Sequence, residues 1–345
     1  MTTASAQTNT ELVLRLNDIA WAGFKSQAFA AAVDFGVFEA LADNALDASQ
    51  LAARTGMHPV GCRRLMTVLV DTQLVSFDGS AYRNTDLGHA CTSRATLNLS
   101  ALSGINPFYR MAEFLPKALK ENGPVWQDAL GISAADAFAG LYADPVRLRQ
   151  FGDLMDAMSV PQGELIAEAF DFAPFECLMD IAGGPGGQSI TIGHRHQHLR
   201  GVVMDLEPVC ALARERIAAK GLADRFTAVP GDLLLGPYPS GADILLLGHI
   251  LHDWSDETAV RILRHCASAL PAGGTLLISE SVLNPDFSRP HLTSIKDLIM
   301  LVCNESGARE RTEAEYGALL TEAGFTIQRL IRFDAPRDLI VAVKA

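Results

Sequence analysis

The sequence predicts an α/β protein: a mainly parallel seven-stranded sheet with an antiparallel edge, preceded by a helical module that ends in a small β-hairpin. Three observations carry this expectation. From Cys177 onward, apolar runs of strand length (CLMDIA, GVVMDL, FTAV, ADILLLGHI, GTLLISESV) alternate with amphipathic stretches of helix length, the pattern of a parallel sheet covered on both faces. The last two runs, TIQRLIRF and LIVAVKA, have no helix between them, and Asp334-Ala335-Pro336-Arg337 reads as the turn of an antiparallel edge hairpin. In the first hundred residues, short helices lead into two strand-like runs around Asp78-Gly79, a hairpin signal.

Composition narrows the function classes. With 345 residues, the chain is expected to hold roughly two domains at about 150 residues each, enough to bury a core without staples. The hydrophobic fraction of 49% and charged fraction of 20% exclude a disordered or fibrous chain. A net charge of −12 disfavours nucleic acid and anionic membrane as partners. Apolar runs such as Ile244 to Leu247, Ala28 to Val33 and Leu298 to Cys303 fall far short of the about 20 residues of a membrane span. The polar start, Met1 to Thr10, does not read as a secretory signal. Six cysteines without a C-x-x-C pair read as reduced, buried residues of a cytoplasmic protein.

In chain order, Glu11 to Phe35 is a long helix rich in Ala and Phe. Asp47 to Thr55 is a helix with an acidic start and Gly56 just past its end, and Pro59 to Thr72 begins with proline in its first turn. Leu74 to Phe77 and Ala81 to Asn84 complete the outline of a winged helix. Seven basic residues against nine acidic ones in residues 1–100, with only Arg63 and Arg64 on the would-be recognition helix, argue for an interaction or dimerisation module rather than a DNA reader. Residues 101–170 read as helices punctuated by five prolines.

The first strand of the sheet runs into Asp180-Ile181-Ala182-Gly183-Gly184-Pro185-Gly186-Gly187. Four glycines in five positions at a helix start let the backbone approach a ligand. The dinucleotide fingerprint fails, because Ser189 stands at its third glycine. Asp205 ends the second strand, where a carboxylate accepts ribose hydroxyls. Asp232 and Leu233 follow the third strand, suited to an amino group and a ring face. Acids at three consecutive strand ends mark the ligand edge of an open α/β sheet, although each one alone also suits a helix cap. Past the fourth strand stands His252 in H-D-W-S-D-E, with Glu280 at the end of the fifth strand and Glu310 in R-E-R-T as two acids able to orient it. His194, His196 and His198 lie at the far end of a helix and read as a solvated helix end, not a metal site.

The ordered set D-I-A-G-G-P-G-G, M-D-L-E-P-V, P-G-D-L, H-D-W-S-D-E, L-L-I-S-E, D-L-I-M-L and R-E-R-T resembles S-adenosylmethionine-dependent O-methyltransferases. These are the plant caffeate and flavonoid enzymes and the bacterial antibiotic-tailoring enzymes. The resemblance implies a winged-helix dimerisation domain over 1–105, a helical linker contributing to the acceptor pocket over 106–172, and a Rossmann-like methyltransferase domain over 173–345. It implies S-adenosylmethionine as cofactor, S-adenosylhomocysteine as product and no metal. Gly183, Gly184 and Gly186 would pass the methionine portion, Asp205 would hold the ribose, and Asp232 with Leu233 would meet the adenine. His252 falls on the general base, bracketed by Glu280 and Glu310. Asp253, Met300, Asn304, Phe151, Met155 and Met158 fall on residues near the acceptor. Three departures stand out: Ala182 replaces a glycine, Pro185 removes an amide donor, and Gly248 stands where many plant members carry lysine.

Together these readings predict methyl transfer to a phenolic or enolic hydroxyl of a small aromatic, secondary metabolite by a homodimer. A phenol near pKa 10 facing a free histidine near 6.5 leaves a gap of about 3.5 units, or about 5 kcal/mol. The two glutamates would narrow it by favouring the imidazolium, and the cofactor's positive charge would narrow it by acidifying the phenol. The alternatives are an N- or C-methyltransferase on the same fold, a non-catalytic winged-helix ligand sensor and a nicotinamide oxidoreductase.

Overall fold

The computed structural model describes residues 8–105, 107–286 and 293–345. Residue 106, the first of the linker expected to contribute to an acceptor pocket, lies outside the described residues. The chain divides into two compact units, Met1–Tyr109 and Arg110–Ala345.

The first unit follows its local signals. Its long helix, Asn9–Asp34, opens with a capping box in which Thr8 and Glu11 satisfy each other's backbone amides. Asp47 and Gln50 do the same for helix Ala48–Thr55, which stops at Gly56 in the left-handed region, φ 73°. Pro59 opens helix Pro59–Asp71. Strands β1 (Val75–Phe77) and β2 (Tyr82–Asn84) pair antiparallel. Their turn is set by Asp78, whose Oδ1 accepts from the amides of Ser80 and Ala81. A core around Phe38, Leu51, Met66 and Leu69 holds the unit together. The long helix nevertheless leaves Leu14, Ile19, Trp21 and Phe24 exposed.

The second unit carries the sheet. Strands β3 (Cys177–Ile181), β4 (Arg200–Asp205), β5 (Phe226–Pro230), β6 (Ile244–Gly248) and β7 (Thr275–Glu280) are followed by the short β8 (Val282–Leu283) and β9 (Arg311–Thr312), then β10 (Phe325–Ile331) and β11 (Asp338–Lys344). The seven-stranded order is β10-β11-β7-β6-β3-β4-β5. Pairings among β3 to β7 are parallel, and β11 pairs antiparallel with both β7 and β10. The chain order reverses between β3 and β6, the place where such sheets bind ligands at their carboxyl ends.

The apolar strands divide by alternation. Leu245 and Leu247 pack into one core with helices Asp256–Ala269 and Glu313–Glu322, while Ile244 and Leu246 pack into another with helix Pro145–Ala169. Every residue of β7 is buried, as a strand covered on both faces requires. No helix among the described residues is long and apolar enough to cross a membrane.

One pairing was not anticipated. β8 and β9 form a two-residue parallel bridge, Val282 opposite Arg311 and Leu283 opposite Thr312. β8 begins two residues after Glu280, and β9 begins one residue after Glu310. The bridge therefore brings two acids that are 30 residues apart in sequence to the end of the same strand.

Candidate active site

The glycine loop is built around Asp180. Its buried carboxylate accepts from Ser189 Oγ at 2.6 Å, and a Cβ at Gly183 would stand 2.4 Å from its Cγ, so only glycine fits there. Burial pushes Asp180 up to about 7, against the Ser189 hydrogen bond and helped by the charge of Asp205. Gly184 and Gly186 take φ 59° and 89°, and a Cβ at Gly186 would come within 2.8 Å of Ile190 Cδ1. Ala182 takes φ 51°, a conformation that costs an L-residue about 1–2 kcal/mol. The residue that replaces a glycine here therefore carries backbone strain.

Asp205 holds this loop, accepting from Gly184 N at 2.8 Å and from Leu206 N at 2.7 Å. Each of its oxygens retains a lone pair. Asp232 caps its own turn, Oδ1 accepting from Leu234 N and Leu235 N, so the capping reading holds for that oxygen. Leu233 is half-buried, and its carbonyl accepts from Tyr238 OH. A glycine cradle, a helix start and acids with spare lone pairs at the ends of β4 and β5 fit a nucleoside carrying an amino-acid chain.

The second cluster lies at the ends of β6 and β7. Past Gly248 the chain kinks at His249, φ 61°, and a single short turn, Leu251–Asp253, presents His252. Glu280 Oε1 accepts from both Ile250 N (2.8 Å) and Leu251 N (2.9 Å). Arg311, fully buried, donates to the carbonyls of Leu251 and Trp254, 2.7 Å each, and to Asp256 Oδ1. The turn is thereby held from both sides.

His252 Nδ1 lies 2.9 Å from Glu310 Oε1 and 3.6 Å from Glu280 Oε2. Nε2 lies 3.5 Å from Asp253 Oδ1. Burial works against the imidazolium, but Glu280, Glu310 and Asp253 outweigh it and hold His252 up at about 10. Burial raises Asp253 to about 6, with His252 opposing and the two glutamates adding to the rise. Asn304 Nδ2 donates to Asp253 Oδ1 at 2.6 Å and lies 3.0 Å from Met300 Sδ, so these three predicted acceptor residues meet. Phe151, Met155 and Met158 share one face of helix Pro145–Ala169 and are half-buried.

His252, Glu280 and Glu310 offer ligand atoms within 4.8 Å of one another. This is the arrangement a metal would need, at a place where none was expected. The histidine run is not a fully solvated helix end: His196 and His198 bond to the carbonyls of Ala167 and Phe172. All six cysteines are free.

Comparison with known proteins decides the family. A profile for the O-methyltransferase domain matches residues 109–326, and one for the O-methyltransferase dimerisation domain matches residues 19–94. The chain belongs to the S-adenosylmethionine-dependent O-methyltransferase family. Among relatives, 3-hydroxy-5-methyl-1-naphthoate 3-O-methyltransferase of Streptomyces sahachiroi is 33% identical over 96% of this chain and 95% of its own. The N,N-dimethyltransferase OxyT of Streptomyces rimosus is 31% identical over 93% of each. Human N-acetylserotonin methyltransferase, solved with S-adenosylmethionine, superposes with a TM-score of 0.89 at 27% identity, covering 99% of this chain and 100% of that one.

Several residues of this methyltransferase escaped the sequence reading. Gln188 occupies the space beside Gly248, where a Cβ would come within 2.7 Å of its Oε1. A lysine here would require the end of the Gln188 side chain to move aside. Tyr142 is half-buried and stacks on Phe138, and burial with the charges of Asp205 and Asp253 raises it to about 12. His249 stacks on His252 at 5.2 Å, and Arg337 is buried with its charge acting on His249. Nothing in residue spacing marks these, because each depends on contacts between distant elements.

Proposed function

We propose that this enzyme transfers a methyl group from S-adenosylmethionine to a phenolic or enolic hydroxyl of a small aromatic secondary metabolite, without a metal, with His252 as general base. The observation that carries the reading is the 2.9 Å contact between His252 Nδ1 and Glu310 Oε1. A proton on Nδ1, donated to Glu310, leaves the Nε2 lone pair available to the acceptor. The cofactor, when bound, supplies an already activated methyl group. Gly183, Gly184, Gly186 and Asp205 would hold it, with Asp232 and Leu233 at its adenine.

The protein's own residues then have two tasks. Positioning for in-line attack is worth about 7–11 kcal/mol, and the face formed by Phe151, Met155 and Met158, with Met300 and Asn304, would supply it. Proton removal falls to His252. Its affinity for a proton, raised to about 10, matches a phenol near 10. Proton transfer from phenol to neutral His252 thereby becomes nearly thermoneutral, and the neutral ring that accepts the proton is populated as pH rises toward that value. Asp253 would orient the hydroxyl beside Nε2.

A second reading, transfer to nitrogen, draws on the likeness to OxyT. A neutral amine already carries its attacking lone pair, so it has less need of this base. Mass-spectrometric turnover of matched phenols and arylamines, with wild-type protein and His252→Gln, separates the two. Phenol methylation that depends on His252 supports the first reading, and amine methylation indifferent to it supports the second.

We also propose a homodimer through the first unit. The exposed Leu14, Ile19, Trp21 and Phe24 lie on a helix that the dimerisation profile enters at residue 19, and an apolar patch of this kind marks an association surface. Light scattering should give twice the chain mass, and Ile19→Asp with Phe24→Asp should give a monomer.

A further inference from the structure

Resting on the methyl-transfer reading, we propose that Arg337 anchors a carboxylate in the active site, carried by the cofactor's amino-acid end or by the acceptor ring. Arg337 lies in the turn before β11, whose next residue, Asp338, pairs with Glu280. It is 3% exposed. Its Nη2 donates to the Met158 carbonyl, while Nη1 has no hydrogen-bond partner among the described residues.

Structural duty accounts for only part of this side chain. Clamping helix Pro145–Ala169 near Pro161 uses Nη2 alone. Burial works against its charge and Glu280 and Glu310 favour it across space, but no hydrogen bond joins either to it, and the Oε2 of each has no hydrogen-bond partner among the described residues. A buried ion pair kept for stability closes such bonds, since an unpaired buried charge is costly.

The neighbours share the condition. Gln162 stands one helical turn beyond Met158, and its buried Nε2 is unpartnered. His249 Nε2 is unpartnered too, Arg337 is the charge acting most strongly on its ring, and that ring stacks on His252. Burial, with Arg337 and Lys296, keeps His249 neutral. Unsatisfied groups thus gather between helix Pro145–Ala169 and the ends of β6 and β7. A guanidinium edge fits a planar carboxylate, repels a cation and gives a neutral hydroxyl little.

Calorimetric titration of the full-length protein tests the anchor with two probe pairs. S-adenosylhomocysteine and 5′-methylthioadenosine differ by the amino-acid end. On protein saturated with S-adenosylhomocysteine, 3-hydroxy-2-naphthoate and 2-naphthol differ by the carboxylate. Arg337→Gln is expected to weaken at least one carboxylate probe tenfold or more and its counterpart less than twofold, and the affected pair names the source. Arg337→Lys, which keeps the charge and tolerates the fold better, should recover part of the loss. Unchanged affinity for both carboxylate probes, or equal losses within each pair, overturns the anchor alone. Wild-type protein that binds no S-adenosylhomocysteine overturns the methyl-transfer reading and the anchor with it.

Discussion

Glu310 Oε1 lies 2.9 Å from His252 Nδ1, while the other oxygen of the same carboxylate meets no hydrogen-bond donor among the described residues. The acid therefore directs its bonding capacity to one ring nitrogen. Glu280 behaves differently, since its Oε1 accepts two backbone amides of the turn that presents the ring. One glutamate meets the ring and the other holds the backbone of its turn.

Under the proposed mechanism, His252 Nε2 takes the acceptor's proton. His252→Gln should lower kcat on a phenol by at least 10²-fold, the lower end of general-base contributions. Affinity for S-adenosylhomocysteine, measured by calorimetry, should change less than threefold, because the residues proposed to hold the cofactor lie at the ends of β3, β4 and β5. Unchanged turnover would remove His252 from the mechanism.

Under the proposed mechanism, Glu310 helps set the pH at which His252 becomes available as a base. His252 is raised to about 10 partly by the charge and hydrogen bond of Glu310, so its neutral, basic form grows as pH rises toward that value. The kcat/KM profile should climb on the alkaline side of neutrality. Glu310→Gln removes one negative charge, lowers the histidine pKa and should move that limb to lower pH by about one unit or more. A limb that stays in place would mean that another group titrates.

Ala182 stands at φ 51°, where glycine is at ease and alanine is not. Ala182→Gly should raise unfolding stability by about 1 kcal/mol, the strain relieved less the added freedom of the unfolded chain. Chemical denaturation reads this directly, and a loss of stability would show that the methyl packs favourably enough to outweigh the strain.

The His252, Glu280 and Glu310 ligand atoms lie within 4.8 Å of one another, so metal dependence is open to direct test. Under the proposed mechanism, dialysis against EDTA should leave turnover within twofold of the untreated enzyme. Loss of activity restored by a divalent cation would reassign the triad as metal ligands.

Much of this molecule is written locally. Apolar runs alternating with amphipathic stretches specify strands and helices, because burial on both faces demands a continuous apolar strand. Capping residues such as Asp47, Asp78 and Ser255 fix their own helix starts and turns through bonds two or three residues away. The strand-end positions of Asp205, Asp232, His252 and Glu280 follow from the same pattern.

What the local pattern does not contain is the division of labour among groups brought together from far apart. That Glu310 bonds the ring while Glu280 bonds the turn depends on the β8–β9 bridge and on the register that sets Gly248 opposite Ser279. The strain at Ala182, the lodging of Gln188 beside Gly248 and the burial of Arg337 arise the same way. Each is settled by packing between elements tens to hundreds of residues apart, where a shift of one residue in register would turn a side chain to the opposite face of the sheet.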